Sequence, residues 1–384
     1  MLKPSPNLLK RILELAIEIQ RIPAPTFEES KRAKFVEQQF QREHVNEIVR
    51  DDLGNVYVHL RGVQETPPLV ISAHLDTVFP FENHQPAFRQ GDCIYGPGIG
   101  DNALGVAALL GVIWAFSESA SFPPGDVWLV ANVGEEGLGN LRGMRKVVER
   151  FGANVTAYIV LEGMALGYIY NRALGVRRYR LRVETKGGHS WVNFGNPSAI
   201  HEIARLICDL SAIPLPELPR CSLNVGVING GISVNTIAPL AIAELDLRSE
   251  DAENLDWLNH QVLDRVESAN TMEVRVSAES TGFRPQGELP PEHWLVQLAK
   301  QCLKAQGLNP HLNIGSTDAN IPLSLGYPAI CIGLTQGNDA HTAGELIYCD
   351  PLRQGMGQLL TLIQKVFHHS SWGLLQSQRT LHRN

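Results

Sequence analysis

A chain of 384 residues is longer than one hydrophobic core usually supports, so the length favours two domains. An apolar fraction of 44 % beside a charged fraction of 19 % argues for a globular chain, with no apolar run of the roughly twenty residues that a bilayer span needs. A net charge of -7 and a pI near 6.0 exclude a general phosphate-binding surface, so neither nucleic acid nor membrane is an expected partner.

The opening stretch MLKPSPNLLKRILELAIEIQ sets Lys10, Arg11, Glu14 and Glu18 among leucines and isoleucines, which reads as an amphipathic helix and not as a signal peptide. Thr26 followed by Glu29 has the spacing of a capping box opening a second helix. Short apolar runs then recur at Leu69 to Ser72, Val127 to Val133, Tyr158 to Leu161 and Ala329 to Leu334, separated by helix-like stretches such as Leu104 to Ser117. That alternation predicts an α/β domain with a largely parallel sheet between helices.

Between about residues 174 and 283 the pattern changes. Strand (Arg178 to Glu184), helix (Ser198 to Leu210), two strands (Leu223 to Val227, Ala241 to Leu247), helix (Leu255 to Val266) and strand (Met272 to Val276) follow one another. The order βαββαβ predicts an inserted α+β, ferredoxin-like sandwich, so that residues 1–173 and 284–384 form one discontinuous domain around 174–283. The tail from Phe367 has little pattern, and His368 and His369 read as solvated terminal residues. Six cysteines without CxxC spacing fit reduced thiols and a cytoplasmic protein.

Each polar cluster falls just past an apolar run: His74 and Asp76 after the first, Glu135 and Glu136 after the second, Glu162 after the third, His341 after the fourth. Asp101 joins them from the glycine-rich GPGIGDN, directly before a helix. Ligands of open α/β sheets bind at that sheet edge. Two imidazoles and three carboxylates suit zinc, and one bridging carboxylate can hold two ions about 3.5 to 4 Å apart. Charge agrees: two zinc ions balance Asp101, Glu136, Glu162 and one hydroxide. Asp76, two residues from His74, is placed to accept the other imidazole N–H. Adjacent residues of an extended segment face opposite ways, so Glu136 is expected to bind metal while Glu135 acts as general base.

The set HLDTV, GIGDNALGVAALL, EEGLGN, LEG, GGHS, SVNTIA, LDLR, GSTDANIP and DAHTAGE, running in order from Leu69 to Asp350, resembles the aminoacylase and glutamate carboxypeptidase family of co-catalytic zinc hydrolases. That family includes peptidase T and succinyl-diaminopimelate desuccinylase. The resemblance implies a zinc peptidase fold, with the inserted domain as lid and dimerisation domain. It assigns His74 and Glu162 to one zinc ion and Glu136 and His341 to the other, with Asp101 bridging and Co2+ or Mn2+ as substitutes. It implies a cis peptide at Asp101-Asn102 and a metal-bridging hydroxide that attacks the amide. It also places His189 over the metals to polarise the scissile carbonyl, and Asn235 and Arg248 on the substrate carboxylate, with Gly315 lining the pocket. With His189 and Arg248 on the inserted domain, substrate is expected to draw the domains together.

The expected substrate is a small peptide or an N-acyl amino acid. Glu162 stands where many members of that family carry aspartate, a choice linked to substrate kind, so peptidase and N-deacylase both stay open. A non-catalytic peptide-binding homologue is the rival from another class, and the complete ligand set argues against it. GPGIGDNALG has aspartate where a dinucleotide loop needs its third glycine. His59, His84, His201, His260, His293 and His311 have no partner pattern and read as surface or packing residues.

Overall fold

The computed structural model describes residues 3–43, 45 and 47–381, with side chains as far as His368. The chain divides into two compact units, Met1–Ala173 with Gly287–Asn384, and Leu174–Gln286.

The first unit is built on a nine-stranded sheet. Its centre is the parallel set Gly125–Asn132, Gln64–His74, Ala157–Glu162 and Ala329–Gly333, side by side in that order. These strands are buried on both faces, which is why their sequences read as unbroken apolar runs instead of alternating ones. Outside them the pairing turns antiparallel, except that His311–Gly315 runs parallel to Tyr168–Ala173. Val56–Leu60 flanks Gly125–Asn132, and Glu47–Arg50 lies beyond it. On the other side Tyr168–Ala173 runs antiparallel to Ala329–Gly333 and carries Gly287–Glu288 and His311–Gly315. The sheet is therefore mixed, with a parallel centre. In register, His74 faces Asn132 and Glu162 faces Gly333, so the C-terminal ends of all four central strands reach one edge.

Helices cover the sheet. Pro6–Gln20 is capped by Ser5, whose hydroxyl accepts from Leu8 N at 3.0 Å, and it buries Leu8, Ile12, Leu15 and Ile19 at helical spacing. The stretch Ile99–Glu118 is, against the sequence expectation, long and apolar enough to cross a bilayer, yet 94 % of its apolar 18-residue window is buried inside the protein. Its all-round apolar surface is explained by neighbours on every side, among them Pro6–Gln20 and the Gln64–His74 strand. The final helix, Leu352–Leu381, continues well past Phe367, where no pattern was expected. His368 is exposed, and the side chain of His369 lies outside the described residues.

The expected capping box does not form. Ser30–Gln41 begins after Glu29 without a side-chain cap. Thr26 instead donates to Asp76 Oδ2 at 2.9 Å, and the Glu29 carboxylate accepts from Gly134 N and from Arg142.

The second unit is a four-stranded antiparallel sheet in the order Cys221–Gly230, Leu240–Ser249, Gly175–Thr185, Val274–Arg284. Burial alternates along Leu240–Ser249, and Ala199–Ser211 and Ala252–Ser268 pack on the sheet to close a core of their own around Leu181, Ala243, Leu258 and Val262. The last strand stays paired to Arg284, opposite Val176, and the first unit resumes at Gly287.

Candidate metal centre

His74 closes its strand, 1 % exposed, with Nε2 3.0 Å from Asp101 Oδ1 and 3.7 Å from Glu162 Oε2. His341 reaches the other oxygen: its Nε2 lies 2.8 Å from Asp101 Oδ2 and 3.3 Å from Glu136 Oε1. Two three-residue groups able to hold a cation result, His74 with Asp101 and Glu162, and Asp101 with Glu136 and His341. They share Asp101, whose peptide bond to Asn102 is cis. Glu135 makes a third grouping with His74 and Glu136, their ligand atoms within 4.8 Å of one another.

That third grouping corrects the expectation that Glu135 and Glu136 face opposite ways. The strand stops at Asn132, and Gly134 with φ 66 turns the chain before them, so strand alternation does not apply. Asp76 also differs from expectation. His74 Nδ1 is 3.0 Å from the Asp76 backbone carbonyl but 3.6 Å from its carboxylate. That carboxylate accepts from Glu135 N at 3.0 Å, Glu136 N at 2.9 Å and Thr26 Oγ1. Fully buried, it fixes the path of the two glutamates while its own carbonyl orients the histidine.

The charges are crowded. Burial, with repulsion from Asp101, pushes the Glu136 carboxyl up to about 8. Burial likewise lifts Glu162 to about 7, with Asp101 and Glu135 adding to the rise. Burial works against a charged Asp101, yet hydrogen bonds from His341 and His74 hold its carboxyl well below the usual range. Burial also opposes a charged His74, but bonding to Asp101, Asp76 and Glu162 raises it well above an ordinary imidazole. His341 is raised to about 11 by its hydrogen bond to Asp101 and by the Glu136 carboxylate 3.3 Å away. Without cations, the cluster therefore favours charged imidazoles and draws the two buried glutamates toward their protonated forms. The residues fit divalent cations: the donors are imidazole nitrogen and carboxylate oxygen, and the buried Glu136 Oε1 receives no hydrogen bond.

Several polar residues that the sequence did not single out support this edge. Asn102 donates to Leu161 O at 2.7 Å and accepts from Gly163 N at 3.0 Å, gripping both sides of Glu162. Glu345 accepts three backbone N–H groups of the Asp101 loop. Asp318 is buried beneath, accepting from Asn132 Nδ2 at 2.7 Å, and burial raises its carboxyl well above the usual range. Asn102, Asp318 and Glu345 stand inside GIGDNALG, GSTDANIP and DAHTAGE, so position in a motif was the available signal.

The remaining expected site residues divide between the units. Gly315 ends a strand of the first, where a Cβ would stand 2.7 Å from the Tyr170 ring, so packing alone accounts for glycine there. His189, Asn235 and Arg248 lie in the second. Gly188–His189 pairs with Thr236–Ile237, and Ser190 N donates to Asn235 O, which brings His189 and Asn235 side by side. His189 Nδ1 accepts from Trp191 N at 3.2 Å, so the neutral ring carries its proton on Nε2. Arg248 is anchored through Nε to Asp246 at 2.7 Å. Of the other histidines, His59 bonds Asp126 and stacks on Trp128, while His293 caps the helix Trp294–Ala305.

Comparison with known proteins adds the family. A Schizosaccharomyces pombe protein described as peptidase M20 domain-containing is 31 % identical over 235 residues, 59 % of this chain and 55 % of its own length, so the match spans about half of that relative. A putative succinyl-diaminopimelate desuccinylase of Mycobacterium tuberculosis is 24 % identical, covering 87 % of this chain and 93 % of its own. Among solved structures, a tripeptidase from Staphylococcus aureus superposes with TM-score 0.78 at 24 % identity, over 93 % of this chain and 98 % of its own. The Bacillus subtilis YxeP protein, described as a dinuclear metal binding peptidase, superposes with TM-score 0.67 at 16 % identity, over 94 % of this chain and 99 % of its own. Both structures share the fold. Residues 70–365 match the profile of Peptidase family M20/M25/M40, so the chain belongs to that family and is by class a metal-dependent hydrolase of amide bonds.

Proposed function

We propose that this chain is a two-zinc peptidase that acts on small peptides or N-acyl amino acids, with Glu135 as its general base. The observation that carries the reading is Asp101: one oxygen lies 3.0 Å from His74 and the other 2.8 Å from His341, so the candidate ligands fall into two sets that share one carboxylate. His74 and Glu162 would hold one zinc ion, Glu136 and His341 the other, with Asp101 bridging; Co2+ or Mn2+ suits the same donors. Zinc bound there would polarise a carbonyl and lower the pKa of water to about 7.

The chain's own residues do the rest. Glu135, its backbone N–H held by Asp76, would take the proton of the attacking water and return it to the leaving nitrogen. His189, with Nε2–H as donor, suits a carbonyl oxygen that gains charge. Arg248 and Asn235 would hold the substrate carboxylate, for which a planar guanidinium is well shaped. Gly315 would line the pocket. A cavity of about 480 Å³ beside His341, bordered by Val78, Phe79, Glu82, Asn83 and Thr342, offers room for a substrate side chain. We further propose that the second unit serves as lid and dimerisation domain. The six free thiols suit the reducing cytoplasm as location.

The test is elemental analysis followed by a panel of dipeptides, tripeptides and N-acyl amino acids before and after chelation. Two ions per chain, cleavage that chelation abolishes and its return with zinc are expected. Preference within the panel separates peptidase from N-deacylase. A chain that takes up metal and binds these compounds but cleaves none is a non-catalytic homologue.

A further inference from the structure

Three side chains that are not candidate ligands tie the ligand segments together, and they do so unequally. Asp76 joins the His74 segment to Glu135 and Glu136. Asn102 joins the Asp101 loop to the residues on either side of Glu162. Glu345 joins that loop to the His341 segment. Its Oε1 accepts from Gly100 N at 2.8 Å and from Asp101 N at 2.9 Å, its Oε2 accepts from Gly98 N at 2.9 Å, and its backbone carbonyl accepts from Gly96 N. The carboxylate is fully buried, 244 residues along the chain from Asp101.

His341 needs such an anchor. Its side chain is 53 % exposed, and its backbone holds φ 63, a left-handed conformation that a non-glycine residue keeps only when its surroundings impose it. The turn carrying it is compact: Thr342 N donates to Asp339 O, and Glu345 N donates to Thr342 O. Holding Glu345 therefore holds His341. His74 is in the opposite situation, buried at the end of a central strand with its Nδ1 already oriented, and Glu162 is gripped by Asn102.

We infer that Glu345 is a positioning residue that registers His341 against the bridging Asp101, and that its loss weakens the Asp101, Glu136 and His341 set while sparing the His74, Asp101 and Glu162 set. The inference rests on the two-ion reading above. Glu345→Gln keeps shape and volume but turns an amide N–H₂ toward at least one backbone N–H that needs an acceptor. Glu345→Ala removes all three bonds.

The test uses the full chain, stripped by chelation and titrated with zinc, with bound ions counted by elemental analysis and affinities read by calorimetry. Wild type is expected to take two ions. Glu345→Gln is expected to keep one tight ion and bind the second between about 10- and 100-fold more weakly, with Glu345→Ala weaker still. Metal-free Glu345→Gln should melt only a few degrees below wild type, the cost of one unpaired backbone N–H. Two ions held at wild-type affinity, or equal weakening of both, overturns the inference, as does a metal-free variant that melts well below the wild type, since the role is then general folding. Wild type that binds fewer than two ions instead sinks the two-zinc reading, which separates the two failures.

Discussion

Glu135 and Glu136 are chain neighbours to which the proposed mechanism gives separate tasks, and a one-atom change tests the division. Glu135→Gln removes a proton carrier and leaves the volume and the Asp76 contact in place, so both ions should stay bound while kcat falls by about 10²- to 10⁴-fold. Turnover near the wild-type rate, with metal content checked in the same sample, would remove Glu135 from its role. The same cluster sets a pH dependence for the metal-free protein. Glu136 at about 8, Glu162 at about 7 and His341 at about 11 all bind protons more tightly folded than unfolded. Their contribution is present at low pH and is lost as pH rises through those values, whereas Asp101, held low, stays ionised throughout. The chelated protein should thus melt at a lower temperature at pH 8 than at pH 6. Zinc must displace these protons, so the gain on adding it should widen over the same interval. Thermal melts with and without chelator check both, and a chelated protein more stable at pH 8 would contradict the assignment. His74 and Glu162 were legible as candidates because they close central strands and Glu136 because it follows one, whereas Asp101 and His341, on a loop and a turn, were legible through their motifs. Asn102 and Glu345 were not, because a side chain that bonds distant backbone amides leaves no periodic mark.

Among the elements, the helix Arg142–Phe151 controls where Glu135 and Glu136 emerge. Gly143 N donates to Val133 O at 3.0 Å, and Asn55 bridges the same junction, donating to Gly143 O and accepting from Val133 N. A Cβ at Gly143 would stand 2.2 Å from Val133 O, a backbone atom that cannot swing away. Gly143→Ala should therefore cost about 1 to 3 kcal/mol, despite the better helix propensity of alanine, and should lower activity by shifting the strand end that precedes Glu135. Chemical denaturation beside an activity assay reads both, and a stabilised variant would show that the junction yields. The central strands were legible as apolar runs, and the inserted βαββαβ order as alternating elements. Thr26 and Glu29 misled because their spacing suits a cap, while the tertiary bonds to Asp76 and Arg142 take precedence. The last helix went unread although Leu352, Met356, Leu359, Leu360 and Ile363 carry its period, because the patternless stretch after Phe367 marked an apparent end.

For the whole molecule, the two edges of the second unit's sheet differ in a way that bears on assembly. Val274–Arg284 exposes Arg275 and Glu279, the kind of charges by which an open edge discourages pairing. The other edge, Cys221–Gly230, reads CSLNVGVING and has no charge at all. Val227 and Ile228 on it are 48 % and 53 % exposed, and Ile232 and Val234 extend the apolar surface into the loop that follows. An uncharged apolar edge of ten residues invites a second strand, and a two-fold axis would let the same strand of another copy supply it. We expect the protein to sediment as a dimer, and Ile228→Lys to weaken that dimer by at least about tenfold, as loss of a central interface contact does. The substitution lies on an exposed position, so the second unit's core should keep its melting temperature while the sedimentation coefficient falls with dilution. Wild type that sediments as a monomer at tens of micromolar would leave this edge without the partner argued for it. A dimer that survives Ile228→Lys and Val227→Lys together would move the interface to another surface.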